Sequence, residues 1–94
     1  MEKPSRSQSL SPNNEDQKKP QIPLGDIPAG QTVIVSQFTG GKEFINRIAS
    51  MGFASGVLVT VLQNRGHGPM IVSILGSHLA LGRHEVELIQ VHTQ

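Results

Sequence analysis

The sequence predicts a small, mainly β domain in which about five short antiparallel strands bend into a barrel and one short helix follows the first strand. Runs of valine, isoleucine and leucine recur along the chain between glycine-rich turn signals, which is typical of strands joined by hairpins. Residues 42–51 instead carry apolar side chains at three- and four-residue spacing, which predicts a helix. Tryptophan and tyrosine are absent and phenylalanine occurs three times, so branched aliphatic side chains must form the core.

The first 21 residues are predicted to be a disordered polar tail. They are rich in serine, proline, asparagine, glutamine and charge, and Leu10 is the only sizeable apolar residue besides Met1. Such a segment cannot bury enough apolar surface to offset the entropy that is lost on ordering. The folded domain is therefore predicted to span residues 22–94.

The first strand and the helix have the clearest patterns. A run of β-branched residues after the turn at 28–30 predicts a strand over 32–38, and the helix follows over 42–51. Gly52 stands where the helix ends, because glycine enters the left-handed region at almost no cost. Phe53 can then fold back onto Ile48, which is the apolar contact that usually accompanies this kind of helix end.

Turn signals divide the rest of the domain. Gly56 marks the turn before the second strand. Gly76-Ser77 suits a type II′ hairpin turn, because glycine occupies the first of its two central positions. The remaining predicted elements, in chain order, are a turn at 28–30, strands at 57–63, 70–75 and 78–82, a helical turn at 83–87 and a last strand at 88–92.

Composition excludes several classes of protein. Eight basic residues against seven acidic residues give a net charge of +1, which argues against a strong nucleic-acid binder. Cysteine is absent, so neither a disulfide framework nor a thiolate metal site is expected. The apolar runs are far shorter than the ~20 residues that span a bilayer, and the N-terminus lacks the apolar region of a secretory signal. We therefore expect a cytoplasmic protein with no direct membrane insertion.

The histidines and carboxylates do not suggest a reactive site. The four histidines form no local pair with the spacing of metal ligands on a strand or a helix, so we expect no metal site and no cofactor. No nucleophile, base and orienting residue can be assembled from the spacing, and we expect no enzyme activity. The four histidines are His67, His78, His84 and His92.

Two segments are candidates for contact with a partner. Loop 64–69 could present Arg65 and His67, and Met70 would add adaptable apolar surface at its end. The alternative for this segment is a loop without a partner. Arg47 is the second candidate; it could recognise a partner, or its stem could cover the edge of the core.

An ordered set of motifs runs from Leu24 to Val91. Its centre is the basic-apolar pair Arg47-Ile48, the triplet Met51-Gly52-Phe53 and Gly56. The flanking motifs are Leu24, Ile27, Pro28-Ala29-Gly30, Val33 to Val35, Ile74, Gly76, Leu79-Ala80-Leu81 and Ile89-Gln90-Val91. Together they resemble the FeoA family, small accessory proteins of bacterial ferrous iron uptake. Three positions depart from the family pattern, and their changes are compatible with packing or lie at the surface: Ile48, Gly82 and Val86.

The resemblance implies a fold and a function. The fold would be an SH3-like barrel. The function would be that of a non-catalytic cytoplasmic accessory protein, a monomer or weak homo-oligomer, that contacts the membrane ferrous iron permease, a GTPase transporter of the FeoB type. By binding this permease, the protein could be located at the periphery of the inner membrane. The alternative is a free-standing regulatory or adaptor domain that resembles the C-terminal domain of metal-dependent transcriptional repressors.

Overall fold

The computed structural model describes residues 20–94, and these residues fold into a mainly β domain. The predicted tail lies almost entirely outside the described residues and stays a prediction. The strands are β1 (Ile22–Pro23), β2 (Thr32–Phe38), β3 (Leu58–Gln63), β4 (Met70–Ile74), β5 (Ser77–Leu81) and β6 (Ile89–Thr93). A 3₁₀ turn (Leu24–Asp26) follows β1, helix α1 (Lys42–Ser50) follows β2, and helix α2 (Arg83–Glu87) precedes β6.

The six strands form one antiparallel sheet in the order β1-β6-β2-β3-β4-β5. The pairing register shifts in β2 between Val35 and Gln37 and in β3 between Val61 and Gln63. Irregularities of this kind bend a strand and increase its local twist. The long central strands therefore curl the sheet around its apolar face.

Branched aliphatic side chains fill the concave side of the sheet. Buried residues alternate with less buried ones throughout β4, and Val33 and Val35 of β2 and Val59 and Val61 of β3 follow the same pattern, which is expected of strands with one face on the core. The buried apolar residues are Leu24, Ile27, Val33, Val35, Phe44, Ile48, Phe53, Val59, Val61, Met70, Val72, Ile74, Leu81, Val86, Ile89 and Val91.

Helix α1 ends in a Schellman motif. The Gly52 N–H donates to the Ala49 carbonyl at 3.0 Å, and the Phe53 N–H donates to the Ile48 carbonyl at 3.3 Å. Gly52 has a φ of 102°, in the left-handed region that this motif requires. Phe53 and Ile48 are both buried in the core, so the chain turns back sharply from the helix towards β3.

The predicted mainly β class of antiparallel strands with one short helix is confirmed, whereas the sheet has six strands in place of about five and does not close into a barrel. Strand β1 was missed because it has two residues and one of them is Pro23, yet it pairs with β6 through Ile22 and Val91. In the described part of the chain, β1 and β5 are the two edges of the sheet and do not pair with each other. The fold is thus a curled, open six-stranded sheet.

The turn between β4 and β5 also differs from the prediction. Its central residues are Leu75 and Gly76, with φ of 50° and 82°, whereas Ser77 already belongs to β5. Positive φ at both central positions defines a type I′ turn in place of the predicted type II′ turn. The prediction was wrong because leucine is among the residues least suited to the left-handed region.

The other boundaries move by at most one residue. The helix ends at Ser50 in place of Met51, the second predicted strand begins at Leu58 in place of Val57, and the last strand lies one residue later than predicted. Gly56, at the turn before β3, has a φ of 92°. Neither helix in residues 20–94 has the length and apolar character needed to cross a membrane.

Candidate partner-binding surface

The side chain of Asn64 fixes the base of loop 64–69. Its Nδ2 donates to the carbonyls of Gly25 at 3.0 Å and Ile27 at 2.8 Å, in the segment that follows β1. Its Oδ1 accepts the backbone N–H of Gly66 at 2.9 Å, which is the local turn that asparagine commonly makes. One amide group therefore shapes the loop and attaches it to a distant part of the chain.

Arg83 holds the same loop from the other side. Its Nη2 donates to Asn64 Oδ1 at 2.9 Å, its Nη1 to the Gly25 carbonyl at 3.1 Å and its Nε to the Gly68 carbonyl at 3.3 Å. The guanidinium group thus uses three nitrogens on three acceptors, which its planar fork of donors permits. Because Arg83 begins α2, it joins this helix, the loop and the 3₁₀ turn.

The anchored loop presents Arg65 and His67 to solvent. Both residues are exposed, and the glycines that flank His67 have positive φ, 85° at Gly66 and 72° at Gly68. The loop is consequently held at its base by side-chain hydrogen bonds while its tip offers one guanidinium and one imidazole. The sequence pattern predicted an exposed loop tip, but it did not predict the hydrogen bonds of Asn64 and Arg83 that hold the base of the loop.

Met70 does not belong to this exposed surface. Its side chain is fully buried in the core, where β4 pairs with Leu81 of β5. The expectation that Met70 supplies accessible apolar surface is therefore wrong. The physical reason is the register of β4: Met70 shares its face with the buried residues Val72 and Ile74.

Arg47, which lies on α1, forms an ion pair with Glu85 of α2. Its Nη2 is 2.9 Å from Glu85 Oε2, and its guanidinium carbon is 5.7 Å from the centre of the Phe44 ring. Glu85 also accepts the Gly82 N–H at 2.9 Å and so helps to begin α2. The side chain of Arg47 remains 56% exposed, so the ion pair leaves it accessible.

Helix α2 therefore lies between the two predicted contact regions. Arg83 reaches the loop that carries Arg65 and His67, and Glu85 reaches Arg47 on α1. No direct contact joins Arg47 to Arg65 or His67 among the hydrogen bonds and ion pairs of the described residues. The structure brings both regions to the same short helix, but leaves them as separate surfaces.

Sequence reasoning missed two groups of residues. The first is the pair Asn64 and Arg83, for which the only local signal was asparagine two positions before a glycine. The second is a set of exposed large apolar side chains that the patterns assigned to strands or to the helix. They are Ile45, Leu58, Leu62 and Leu75.

The histidines lie in different environments. His67, His78 and His84 belong to three different elements, and none of them is buried. His92 is buried, with its Nδ1 3.0 Å from the Thr93 carbonyl. Within residues 20–94, no group of three or more histidine and acidic side chains is placed to hold a metal ion.

The fold defines a small, mainly β domain of the SH3-like class, in which short loops and two helices connect the strands of one curled sheet. A family model described as FeoA domain matches residues 22–93. The chain therefore belongs to the FeoA family, and the resemblance seen in its motifs is confirmed. Members of this family are accessory proteins of ferrous iron transport.

A relative in Methanocaldococcus jannaschii supports the same assignment. The chain is 38% identical to this protein, named "Putative Fe(2+) transport protein A", over 61 residues that make up 65% of this chain and 73% of the relative. Among solved structures, an iron uptake regulatory protein (FeoA) has a TM-score of 0.73 and 29% identity. That match covers 78% of this chain and 97% of the other.

Two further structures extend the fold comparison. FeoA of Stenotrophomonas maltophilia, solved with zinc and described as a "Unique Procaryotic SH3 Domain Protein", has a TM-score of 0.67 and 20% identity over 74% of this chain and 88% of its own. A manganese-dependent transcriptional repressor has a TM-score of 0.76 and 23% identity over 82% of this chain. The chain spans 44% of that repressor's length. Because both structures are less than 25% identical to this chain, the two likenesses concern the fold alone.

Proposed function

We propose that this protein is a non-catalytic accessory protein of ferrous iron uptake that acts by direct contact with the membrane ferrous iron permease. The observation that carries the proposal is the family match over residues 22–93. It is supported by the 38% identity to an iron transport relative. The permease would place the protein at the cytoplasmic side of the inner membrane.

The described surface is consistent with a binding role. The core is filled with hydrocarbon side chains, and the polar side chains that make long-range hydrogen bonds hold loops and helices in place. This arrangement resembles the way binding loops are positioned by rigid scaffolds. Within residues 20–94, loop 64–69 with Arg65 and His67, the region of Arg47 and the exposed leucines offer accessible side chains for such contact.

Co-purification with the detergent-solubilised permease of the same source tests the proposal. The full chain, added with and without guanine nucleotide, is expected to elute with the permease, whereas an unrelated small β protein of similar charge is expected to elute separately. Elution of the chain alone under every nucleotide condition would overturn the proposal. Turnover of guanine nucleotide, measured with and without the chain, then shows whether contact changes hydrolysis.

A variant of the loop tests its part in this contact. Arg65→Glu reverses the charge of an exposed side chain that makes none of the anchoring hydrogen bonds, so the fold should persist. If the loop tip is a central contact, the affinity for the permease should fall about tenfold or more. Arg47→Glu is the matched variant for the helix region, and the larger loss shows which of these two regions contributes more to the contact.

A regulatory or adaptor role is the second candidate. The observation that favours it is the TM-score of 0.76 against the manganese-dependent repressor, although that likeness extends to the fold alone. A pull-down with the cognate metal-dependent repressor, in place of the permease, distinguishes the two functions. A salt titration against duplex DNA serves as a control, because phosphate contacts would give a steep dependence of binding on salt.

A further inference from the structure

Strand β5 leaves one edge of the sheet without a partner strand. Among residues 20–94, β5 pairs with β4 alone, and β1 is the other edge. The pairing of β4 with β5 runs without a register shift from Ile74 and Ser77 to Met70 and Leu81. The outer edge of such a strand presents backbone N–H and C=O groups to which another extended segment can bind.

The hairpin geometry determines which backbone groups of β5 are free. Ile74 and Ser77 flank the two-residue turn, so they exchange the first pair of hydrogen bonds between β4 and β5. Hydrogen-bonded and non-hydrogen-bonded pairs alternate along an antiparallel ladder. Every second residue after Ser77 therefore bonds to β4, whereas the N–H and C=O groups of His78 and Ala80 point away from β4.

The free edge ends where α2 begins. The Gly82 N–H donates to Glu85 Oε1 at 2.9 Å, and the Gly82 carbonyl accepts the N–H groups of Glu85 and Val86, both at 3.1 Å. Gly82 is therefore occupied by the cap of α2. Within the described part of the chain, the open edge of β5 offers two donors and two acceptors, on His78 and Ala80.

The side chains of β5 leave this edge open to pairing. Charged side chains, proline and bulges are the usual devices that keep an edge strand from pairing. The sequence of β5 contains no aspartate, glutamate, lysine, arginine or proline, and its register is regular. Leu79 lies on the core side of the sheet, where it is half-buried and packs against the core. His78 and Ala80 are exposed on the opposite face.

We propose that β5 pairs with β5 of a second copy of this chain, antiparallel about a two-fold axis beside Leu79. His78 then lies opposite Ala80 of the second copy and exchanges two hydrogen bonds with it, and the symmetry repeats this pair on the other side of the axis. All four free backbone groups are bonded in this register. The two copies of Leu79 meet on the core side of the joined sheets and cover each other.

The side chains of β5 support a second copy as the occupant. The strand complements itself in this register, because the large side chain of His78 faces the small side chain of Ala80 and Leu79 faces an identical apolar side chain. No like charges oppose each other across the axis, since β5 carries no acidic residue, lysine or arginine.

The other edge of the sheet favours a closed dimer over a filament. Pairing of β5 with β1 of the next copy would be a head-to-tail contact that continues without end. Strand β1 has two residues, and one of them is Pro23, which has no N–H to donate. The two-fold pairing of β5 with itself is therefore the contact that the two edges permit. It is independent of the contact with the permease and goes beyond the proposed function.

Single-cysteine variants of the full chain test the predicted register, because the chain has no cysteine of its own. Opposite residues of a non-hydrogen-bonded pair have Cα atoms about 4.5 Å apart, which lies within the range of about 4.4–6.8 Å for a disulfide. Leu79→Cys should therefore form a disulfide-linked dimer in air at millimolar protein. Non-reducing gel electrophoresis measures the rate of linking.

Ser77→Cys is the matched variant on the same strand and the same face. In the proposed register the two copies of residue 77 lie four positions apart along the strands, or about 14 Å. Leu79→Cys should thus link at least about tenfold faster than Ser77→Cys. Equal rates of linking would overturn the proposal, because they would indicate random collision or another contact.

Substitutions of Ala80 test the backbone pairing itself. The Ala80 N–H points away from β4, so Ala80→Pro removes a bond to the second copy and none within the domain. Circular dichroism should stay native, and linking of Leu79→Cys should fall by about tenfold or more in this background. Ala80→Asp keeps the N–H but places two carboxylates diagonally across the axis, so it should also weaken linking, and it replaces Ala80→Pro if that variant does not fold.

Sedimentation of the unchanged chain completes the test. The interface is small beside the about 1,600 Å² of a stable complex, so a dimer is expected at millimolar protein and a monomer at micromolar protein. A chain that stays monomeric at every concentration would overturn the proposal and leave the edge to an extended segment of another protein. A dimer that persists in both Ala80 variants would also overturn it, because the copies would then associate through another surface.

Discussion

Arg83 Nη2 donates a hydrogen bond of 2.9 Å to Asn64 Oδ1, and both side chains also donate to the carbonyl oxygen of Gly25. These contacts join the loop after β3, the start of α2 and the 3₁₀ turn after β1. They lie between the chain that follows edge strand β1 and the helix that follows edge strand β5, and these two edges do not pair with each other. Side-chain hydrogen bonds thus join two parts of the domain that strand pairing does not connect.

Replacing Asn64 by alanine should reduce the free energy of unfolding by about 1–3 kcal/mol, because the Gly25 and Ile27 carbonyls lose a partner and Arg83 loses an acceptor. Denaturant unfolding monitored by circular dichroism measures the change. Arg65→Ala, at the exposed neighbouring position, should change stability by less than about 0.5 kcal/mol. Equal stability of the two variants would show that the network contributes little.

Gly52→Val should destabilise the domain by roughly 1–3 kcal/mol, because a β-branched residue would be forced to positive φ at the end of α1. The added Cβ would also press on Leu75 Cδ1, which can move. Gly41→Val is the matched control: Gly41 has a φ of −76°, and a Cβ there would meet no atom within 4 Å. Thermal melts should rank Gly52→Val well below Gly41→Val, and the reverse order would contradict the Schellman assignment.

The ion pair between Arg47 and Glu85 should contribute less than about 1 kcal/mol to stability, because the Arg47 side chain is more than half exposed and solvent screens the pair. A double-mutant cycle with Arg47→Met and Glu85→Gln measures the coupling; glutamine retains an acceptor for the Gly82 N–H. A coupling well above that value would mean that the pair fixes the two helices against each other. The coupling should fall further at high salt.

Removing residues 1–19 should leave the thermal midpoint within a few degrees of the full chain, as expected if the polar tail makes few contacts. Removing residues 1–23 should lower it clearly, because β1 would lose its pairing with Val91 and Gln90. Melting of the two shortened chains beside the full chain measures both effects. A fall of more than about 10 °C for the first shortened chain would show that the tail packs on the domain.

Replacing His67, His78 and His84 together by glutamine should leave complementation of ferrous iron uptake largely intact. All three side chains lie outside the core, and none belongs to a group placed to hold a metal among residues 20–94. His92 is left unchanged because it is buried, and its loss would confuse folding with function. Loss of uptake by a variant with native circular dichroism would reinstate a histidine metal site.

Local patterns in the sequence predicted five of the six strands, both helices and the family. A run of β-branched residues predicted β2 with its observed bounds, and the glycine after α1 predicted the end of the helix, because both features depend on neighbours within a few residues. The same local signals identified the FeoA motifs. Loop 64–69 was recognised for the same reason, since Gly66, Gly68 and Pro69 disfavour regular structure.

The tertiary structure was needed to learn which side chains are exposed to solvent and which loops are held by hydrogen bonds to distant residues. Met70 is buried because the register of β4 turns it inward, and a one-residue difference in register would have exposed it. The contact of Asn64 with Gly25 spans 39 residues, and that of Arg83 with Gly25 spans 58. Leu75 has its strained, exposed position because the pairing of β4 with β5 places the turn one residue earlier than the glycine suggested. These features depend on strand register and on contacts between segments far apart in the sequence, so the patterns of neighbouring residues did not reveal them.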